Sequence, residues 1–282
     1  MKTVLITGTS SGIGLATAVA AAHAGYTVIA TMRDPSRARP LLDATGAAGI
    51  TVDVRHLDVT DAESIDTCID ALVKRYGRLD AVVNNAGISS FDPTLEMSTM
   101  DNLRANLEVN FFGVIALSRV AMPLLRTARG RLVTIGSVHG LVGQPFNEAY
   151  CAAKFAVEGF MESLAPVAAA HGVKVSVVVP GFVLGTNFGV FPDINRKTIQ
   201  AISGAYAPTF KAYFDWVVSQ GWAAAGQKAQ EVAETVVRTL TSDDPPFRVA
   251  TNEWVEDYLS EKLTDRDGSR IQALARTWIG AA

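Results

Sequence analysis

Four polar residues stand where their types can cooperate in moving a proton. Tyr150 and Lys154 are four apart in a segment of helical periodicity, which puts them on one face with the lysine one turn beyond the tyrosine. A nearby ammonium favours phenolate and lowers a phenol's pKa from about 10 toward the working range. Such a tyrosine gives a proton to a carbonyl oxygen as hydride arrives, and takes it back in oxidation. A Tyr-x-x-x-Lys pair by itself is weak evidence, because chance supplies many. It gains force from Ser137, which ends the strand-like run Ile135-Gly136-Ser137, and from Asn110 in Val109-Asn110-Phe111-Phe112-Gly113 on the preceding helical stretch.

A second constellation suits an anion. Gly8-Thr9-Ser10-Ser11-Gly12-Ile13-Gly14 follows the first strand-like run and opens the first helix, so backbone N–H groups at a positive helix end can face a pyrophosphate. Glycine permits the tight turn and the close approach. Three residues separate the first two glycines, a departure from the usual dinucleotide fingerprint, and a purely structural turn is the competing reading. The second strand-like run ends Thr31-Met32-Arg33, a basic residue where an acidic one would take the adenosine ribose hydroxyls. That favours NADP(H), with NAD(H) possible. Asp34 would weaken or reverse the preference if its side chain entered the ribose pocket, and Arg33 as a solvated surface charge is the bland alternative. In Leu57-Asp58-Val59, Asp58 is placed to accept from an adenine amino group or to cap the next helix, although Thr60 or Asp61 is better placed for capping. Asn84-Asn85-Ala86-Gly87 is a turn that stabilises the sheet, lines the cofactor cleft, or does both.

These residues need a scaffold, and the chain's periodicity supplies one. Strand-like runs at 3–7, 27–32, 50–57, 79–83, 131–135 and 174–179 alternate with helical patterns at 13–23, 62–76, 100–125 and 150–170. Several runs are continuously apolar, as in strands covered on both faces. The pattern predicts one α/β domain over 1–282: a doubly wound, Rossmann-type parallel sheet of about seven strands with helices on both faces. After residue 179 the rhythm breaks. Residues 181–227 read as an aromatic-containing substrate-lid insertion, followed by a helix at 229–241, a last strand at 247–250 and a C-terminal helical extension at 252–282, divided near 265–269.

Composition narrows the function classes. The chain has 282 residues, 25 Lys plus Arg against 28 Asp plus Glu, and basic residues that are scattered, which argues against a nucleic-acid partner. No secretory leader or membrane-spanning run is apparent, so a cytoplasmic protein is the expectation. Cys68 and Cys151 read as reduced and structural, Cys151 pointing to the side of its helix opposite Tyr150. His23, His56 and His171 lack a second ligand at helical spacing, and no metal site is expected.

The ordered set of glycine turn, Asp58, Asn84-Asn85-Ala86-Gly87, Asn110, Ser137, Tyr150, Lys154 and Pro180-Gly181 closely resembles the short-chain dehydrogenase/reductase family. Within it, Ala30-Thr31-Met32-Arg33-Asp34, Gly136-Ser137-Val138-His139-Gly140 and Pro145-Phe146-Asn147 resemble the estradiol-type hydroxysteroid and retinol dehydrogenase branch. The likeness covers most of the chain and is poorest over the insertion. It implies that Tyr150 is the acid/base, that Lys154 holds the nicotinamide ribose and tunes Tyr150, and that Ser137 bonds the substrate oxygen. Asn110 would keep a helix kinked and anchor a proton-relaying water. Cofactor contacts would run through Gly8, Ser10, Ser11, Gly12, Ile13 and Gly14, then Arg33, Asp58 and Val59, then Asn85, Ala86 and Gly87. Pro180, Gly181 and Val183 would meet the nicotinamide. Thr186 would join them, one residue later than the family's spacing. A homodimer or homotetramer is implied, paired through the 100–125 and 150–170 helices.

The substrate side is written less clearly. His139, Phe146, Phe182 and Phe188 are the candidate lining residues, in a cleft suited to a hydrophobic ketone, aldehyde or secondary alcohol. A sensor that binds the cofactor without turnover would be expected to lack the tyrosine or lysine. A lyase or epimerase that recycles its cofactor is the third reading.

Overall fold

The computed structural model describes residues 1–89, 94–186, 204–219, 226–260 and 264–269. Seven parallel strands form one sheet: β1 (Thr3–Thr7), β2 (Thr27–Met32), β3 (Asp53–His56), β4 (Ala81–Asn84), β5 (Arg131–Ile135), β6 (Lys174–Val179) and a last strand, Arg248–Ala250. Their spatial order is β3-β2-β1-β4-β5-β6 followed by that last strand. The order reverses between β1 and β4, and ligands of such sheets bind outside the strand ends at that switch point.

The continuous apolar runs follow from two-sided burial. In β1, Leu5 packs toward Ile69, Leu72, Leu117 and Leu125, whereas Val4 and Ile6 pack toward Ala18, Leu41, Val232 and Val236. Alternate residues serve opposite faces, so a strand with helices on both sides has no polar positions to reveal its period. One face carries α3 (Ala62–Tyr76), α5 (Gly113–Ala128) and α6 (Glu148–Ala170); the other carries α1 (Gly12–His23) and α2 (Arg39–Ala47).

Several boundaries differ from the sequence reading. The 50–57 run is a strand only over Asp53–His56, and the 79–83 run is a strand over Ala81–Asn84. Helix α2 was not anticipated, because an Ala- and Gly-rich stretch with only Leu41 and Thr45 buried shows little periodicity. The expected 100–125 helix is three pieces: α4 (Met100–Leu107), a π turn (Glu108–Phe112) and α5. Taken together, Met100–Ala128 is long and apolar enough to cross a membrane by length and composition, but Val114, Leu117, Ala121 and Leu125 pack into the core.

In the insertion, β7 (Val183–Leu184) pairs in parallel with β8 (Gln227–Lys228), which brings the two ends of that segment together. Between them lies α7 (Ala207–Ser219). Then come α8 (Ala229–Thr241), the edge strand Arg248–Ala250, here β9, and α9 (Glu253–Ser260). Buried Arg248 ties β9 to α6 through Glu158 (2.6 Å) and Glu162 (3.2 Å), and donates to the carbonyls of Asp265 and Arg266.

Candidate active site

The glycine turn lies at the switch point, and each glycine answers a different constraint. Gly8 has φ +70°, and a Cβ there would come within 2.9 Å of Ala86 Cα. Gly14 begins α1 so close to the turn that a Cβ would lie 2.2 Å from the Gly8 carbonyl oxygen. Ser11, the helix N-cap, is extended and makes no side-chain capping bond, and the first turn carries no acidic residue. The amides at this positive end are therefore without a capping side chain or a competing carboxylate, which suits a phosphate.

Two threonines to which the sequence reading gave no role help to hold the turn. Thr9 donates through N–H and Oγ1 to the Thr31 carbonyl, at 3.0 and 3.1 Å. Thr7 Oγ1 accepts from the Asn85 and Ala86 amides, both at 2.9 Å. The Asn85 side chain donates to the carbonyls of Thr7 and Gly8, so it fixes the turn's shape, and Ala86-Gly87 continue past it. Asn84 is buried, donating to Ser118 Oγ (3.0 Å) and Thr134 Oγ1 (3.4 Å). A threonine at a strand end reads as an ordinary β-former, so no sequence signal marked Thr7.

At the adenosine end, Arg33 is exposed beyond β2. Asp34 does not share its position: its Oδ1 accepts from Ser36 N (3.0 Å) and Ser36 Oγ (2.7 Å), capping a short turn. Those bonds hold its carboxyl below the usual range. Asp58 Oδ1 accepts from Thr60 N and Oγ1, and Asp61 caps α3. Partial burial opposes ionisation of Asp58, but the Thr60 bonds and the Arg33 charge prevail and keep its pKa low. Val59 is buried against Gly113.

The proton-transfer residues meet at the ends of β4, β5 and β6. Ser137 caps the turn Val138–Gly140, accepts the His139 N–H at 3.2 Å, and shares a hydrogen bond with the Tyr150 hydroxyl. Gly140 lets that turn press on α6, since a Cβ would lie 2.9 Å from the Lys154 carbonyl oxygen. Lys154, buried, donates from Nζ to the Ile135 carbonyl at 2.8 Å.

The expected acidification of Tyr150 is not found in this arrangement. Burial raises the phenol's pKa well above its ordinary value, with the Ser137 bond only partly offsetting it. The Lys154 ammonium sits 5.7 Å from the ring centroid and is engaged by a carbonyl, while burial brings its own pKa down to about 8. Desolvation of a charge outweighs a distant opposite charge.

Asn110 lies on the π turn, its side-chain amide bonded to Ile88 and, at 3.5 Å, to Asn106 Oδ1. Oδ1 accepts from Ile88 N and Nδ2 donates to Ile88 O, each at 2.9 Å. The irregular helix thereby clamps the chain leaving β4, and π turns of this kind collect at functional sites. Pro180 accepts from Val138 N (3.1 Å); Gly181 packs under Trp254, whose Cζ3 a Cβ would approach to 2.8 Å. Val183 begins β7. Despite the extra residue before it, Thr186 is buried opposite Gly12 and donates to the Val183 carbonyl at 3.2 Å.

Toward the substrate side, Phe146 adopts φ +60° and packs edge-on to Phe210 of α7 at 5.1 Å and near Tyr213 at 5.5 Å. Cys151 packs as expected but not on the far side of α6. Its sulfur accepts the Gln144 N–H at 3.3 Å and lies near Tyr213 and Tyr258, because neighbouring helical residues diverge by about 100° rather than 180°. Trp254 and Tyr258 of α9 stack at 5.1 Å, a contribution that sequence reasoning missed. Phe182 is 43% exposed, and Phe188 lies outside the described residues.

Residues 2–191 match the family model described as short chain dehydrogenase. The chain belongs to the short-chain dehydrogenase family. Retinol dehydrogenase 8 of Bos taurus is 37% identical over 95% of this chain and 87% of its own length, and human 17-beta-hydroxysteroid dehydrogenase type 1 is 33% identical over 98% and 86%. The expected likeness to that branch is thus found. A short-chain dehydrogenase from Streptomyces avermitilis superposes with a TM-score of 0.77 at 31% identity, covering 99% of this chain and 96% of that one. An archaeal alcohol dehydrogenase from Thermococcus sibiricus, complexed with 5-hydroxy-NADP, gives 0.70 at 26% identity, covering 89% and 95%.

This short-chain dehydrogenase is therefore an oxidoreductase of CH–OH and C=O groups that works with a nicotinamide cofactor. Its residues fit that group: the uncapped start of α1 and the glycines around it suit the pyrophosphate, and Ser137, Tyr150 and Lys154 adjoin at the other end of the same strand edge. Among the described residues, no group of three His, Cys, Asp or Glu side chains could hold a metal ion.

Proposed function

We propose that the enzyme is an NADP(H)-dependent dehydrogenase/reductase of hydrophobic ketones, aldehydes or secondary alcohols, with Tyr150 as general acid/base. The observation that carries this reading is the Ser137–Tyr150 hydrogen bond beside buried Lys154. A carbonyl oxygen entering there meets two hydroxyl donors. Ser137 orients and polarises it; Tyr150, held protonated by burial, delivers its proton as charge develops on oxygen. The nicotinamide, when bound, supplies or accepts the hydride. Oxidation runs the same step in reverse, with Tyr150 taking the proton back from the alcohol. Asn110, in this reading, holds the π turn that shapes the path for proton supply past Lys154.

The preference for NADP(H) rests on Arg33 with Asp34 turned away to Ser36, and the neighbour complexed with 5-hydroxy-NADP supports it. The aromatic wall of Phe146, Phe210, Tyr213, Trp254 and Tyr258 supports a lipophilic substrate, as do relatives named for retinol and hydroxysteroid. We read residues 1–282 as one cytoplasmic domain with 181–227 as its lid. Exposed Phe112, Phe155, Phe160 and Val167 favour self-association.

The test is a panel of hydrophobic carbonyl compounds with NADPH and NADH in parallel. Turnover faster with NADPH is expected. Equal or better rates with NADH would sink the Arg33 argument. Tyr150→Phe should lower kcat by about 10²–10⁴-fold while NADPH still binds; a tenfold effect or less would remove Tyr150 from the role.

A further inference from the structure

Four buried side-chain polar atoms among the described residues have no hydrogen-bond partner: Thr17 Oγ1, Arg131 Nη1, Gln227 Oε1 and His139 Nε2. Only His139 stands beside the reacting groups. It is the second residue after Ser137, its backbone N–H donates to Ser137 Oγ at 3.2 Å, and its ring meets the Tyr150 ring edge-on at 6.1 Å. Native proteins rarely leave a buried polar atom unpaired, and each exception calls for a reason, such as a catalytic role or a bound water or ion. A neutral imidazole carries one N–H and one lone pair, so it serves a hydroxyl as donor or acceptor. Burial keeps this ring neutral, its pKa brought down to about 4. The proton-transfer role is already filled by Tyr150, so nothing in the reaction itself occupies the imidazole.

We infer that His139 is a specificity-determining residue whose ring hydrogen-bonds a second oxygen of the substrate, carried one or two carbons from the reacting carbonyl. The inference rests on the reductase reading above and narrows it: the preferred substrates are α- or β-hydroxy ketones on a lipophilic frame. In that reading the reacting oxygen lies between Ser137 and Tyr150, and the His139 ring stands edge-on to the Tyr150 ring, 6.1 Å from it. A substrate without the second oxygen leaves the buried nitrogen unpaired in the complex. Sites built to bond a substrate hydroxyl reject analogues that lack it far more strongly than apolar pockets reject a missing methylene.

The test compares 2-hydroxyacetophenone with acetophenone, and 3-hydroxypropiophenone with propiophenone, using NADPH and the full chain. Wild type should favour at least one hydroxy ketone over its parent in kcat/KM by roughly 10- to 100-fold, the scale of one bond to a buried orphan. His139→Leu should bring that ratio to about one, and His139→Gln, which keeps a donor and an acceptor, should restore part of it. A readout apart from turnover is the ¹⁵N spectrum of histidine-labelled enzyme, assigned by the His139→Gln variant. The diol product should shift the His139 ring nitrogen, and the corresponding mono-alcohol should not. Turnover of the parent ketones with no preference, or a preference that His139→Leu retains, overturns the inference and leaves the reductase reading intact. Failure to reduce any carbonyl with NADPH bound overturns that reading, and this inference with it.

Discussion

The cofactor side and the substrate side of this cleft are built in opposite ways. Around the glycine turn, Thr7, Thr9, Asn85 and the glycines are joined by hydrogen bonds between side chains and main chain and by close backbone contacts, within segments that are contiguous strand–turn–helix units. The substrate side draws on three separate stretches: Phe146 before α6, Phe210 and Tyr213 on α7, and Trp254 with Tyr258 on α9. Hydrogen bonds fix a shape to fractions of an ångström; aromatic contacts fix a volume and tolerate exchange. One wall is thus fixed in shape and the other in volume, because the two obey different packing rules.

The strongest way to break that comparison is at Arg248, which holds the substrate side's C-terminal elements to α6. Burial pushes the Glu158 carboxyl up and Arg248 offsets this, so Arg248→Ala leaves a buried carboxylate uncompensated. Loss of about 3–5 kcal/mol of unfolding free energy is expected from denaturant titration. A loss below about 1 kcal/mol would mean that the α9 wall stands without this clamp.

His139 sharpens it next. With a folded pKa of about 4 against an ordinary value near 6.5, the unfolded chain binds more protons between these limits. The stability from the neutral buried ring is full above about pH 6.5 and is lost as pH falls through 4, by up to about 3 kcal/mol. The wild-type stability curve should therefore fall more steeply than that of His139→Leu between pH 6.5 and 4. Parallel curves would show that the ring accepts a proton in place.

Gly14→Ala probes the rigid wall. Its Cβ would stand 2.2 Å from the Gly8 carbonyl and 2.4 Å from Asn85 Nδ2, backbone and pinned amide that cannot step aside. Overpacking of about 1–3 kcal/mol is expected, with NADPH binding weakened at least tenfold by fluorescence titration. Unchanged binding would show that the turn is less constrained than its contacts imply. The smallest effect is expected at Phe146→Gly, where relief of the positive φ compensates part of the lost ring contact. Stability should change by less than about 1 kcal/mol while KM for a bulky ketone rises, and a KM that does not move would take Phe146 out of the cleft wall.

The glycine turn, Ser137, Tyr150, Lys154 and the strand–helix alternation were legible in the chain because each depends on residues close in sequence: a turn before a helix, a pair one helical turn apart, a run with its period. The boundaries of β3 and β4 were less so, since the flanking apolar residues Leu57 and Leu79 are buried without being strand. Helix α2 was invisible, because so few of its residues are buried. The kink at Asn110 was implied only by the family resemblance, since a π turn whose side chain reaches Ile88 leaves no mark in helix propensity.

What the sequence by itself determined is the candidate chemistry and its order along the sheet: which residues could carry protons, which turn suits a phosphate, and that a basic residue follows β2. Only the tertiary structure decided how those groups are charged and what surrounds them. Burial depends on every element packed over a site, so it is the fold that raises the Tyr150 pKa, brings Trp254 over Gly181 and leaves the His139 nitrogen without a partner.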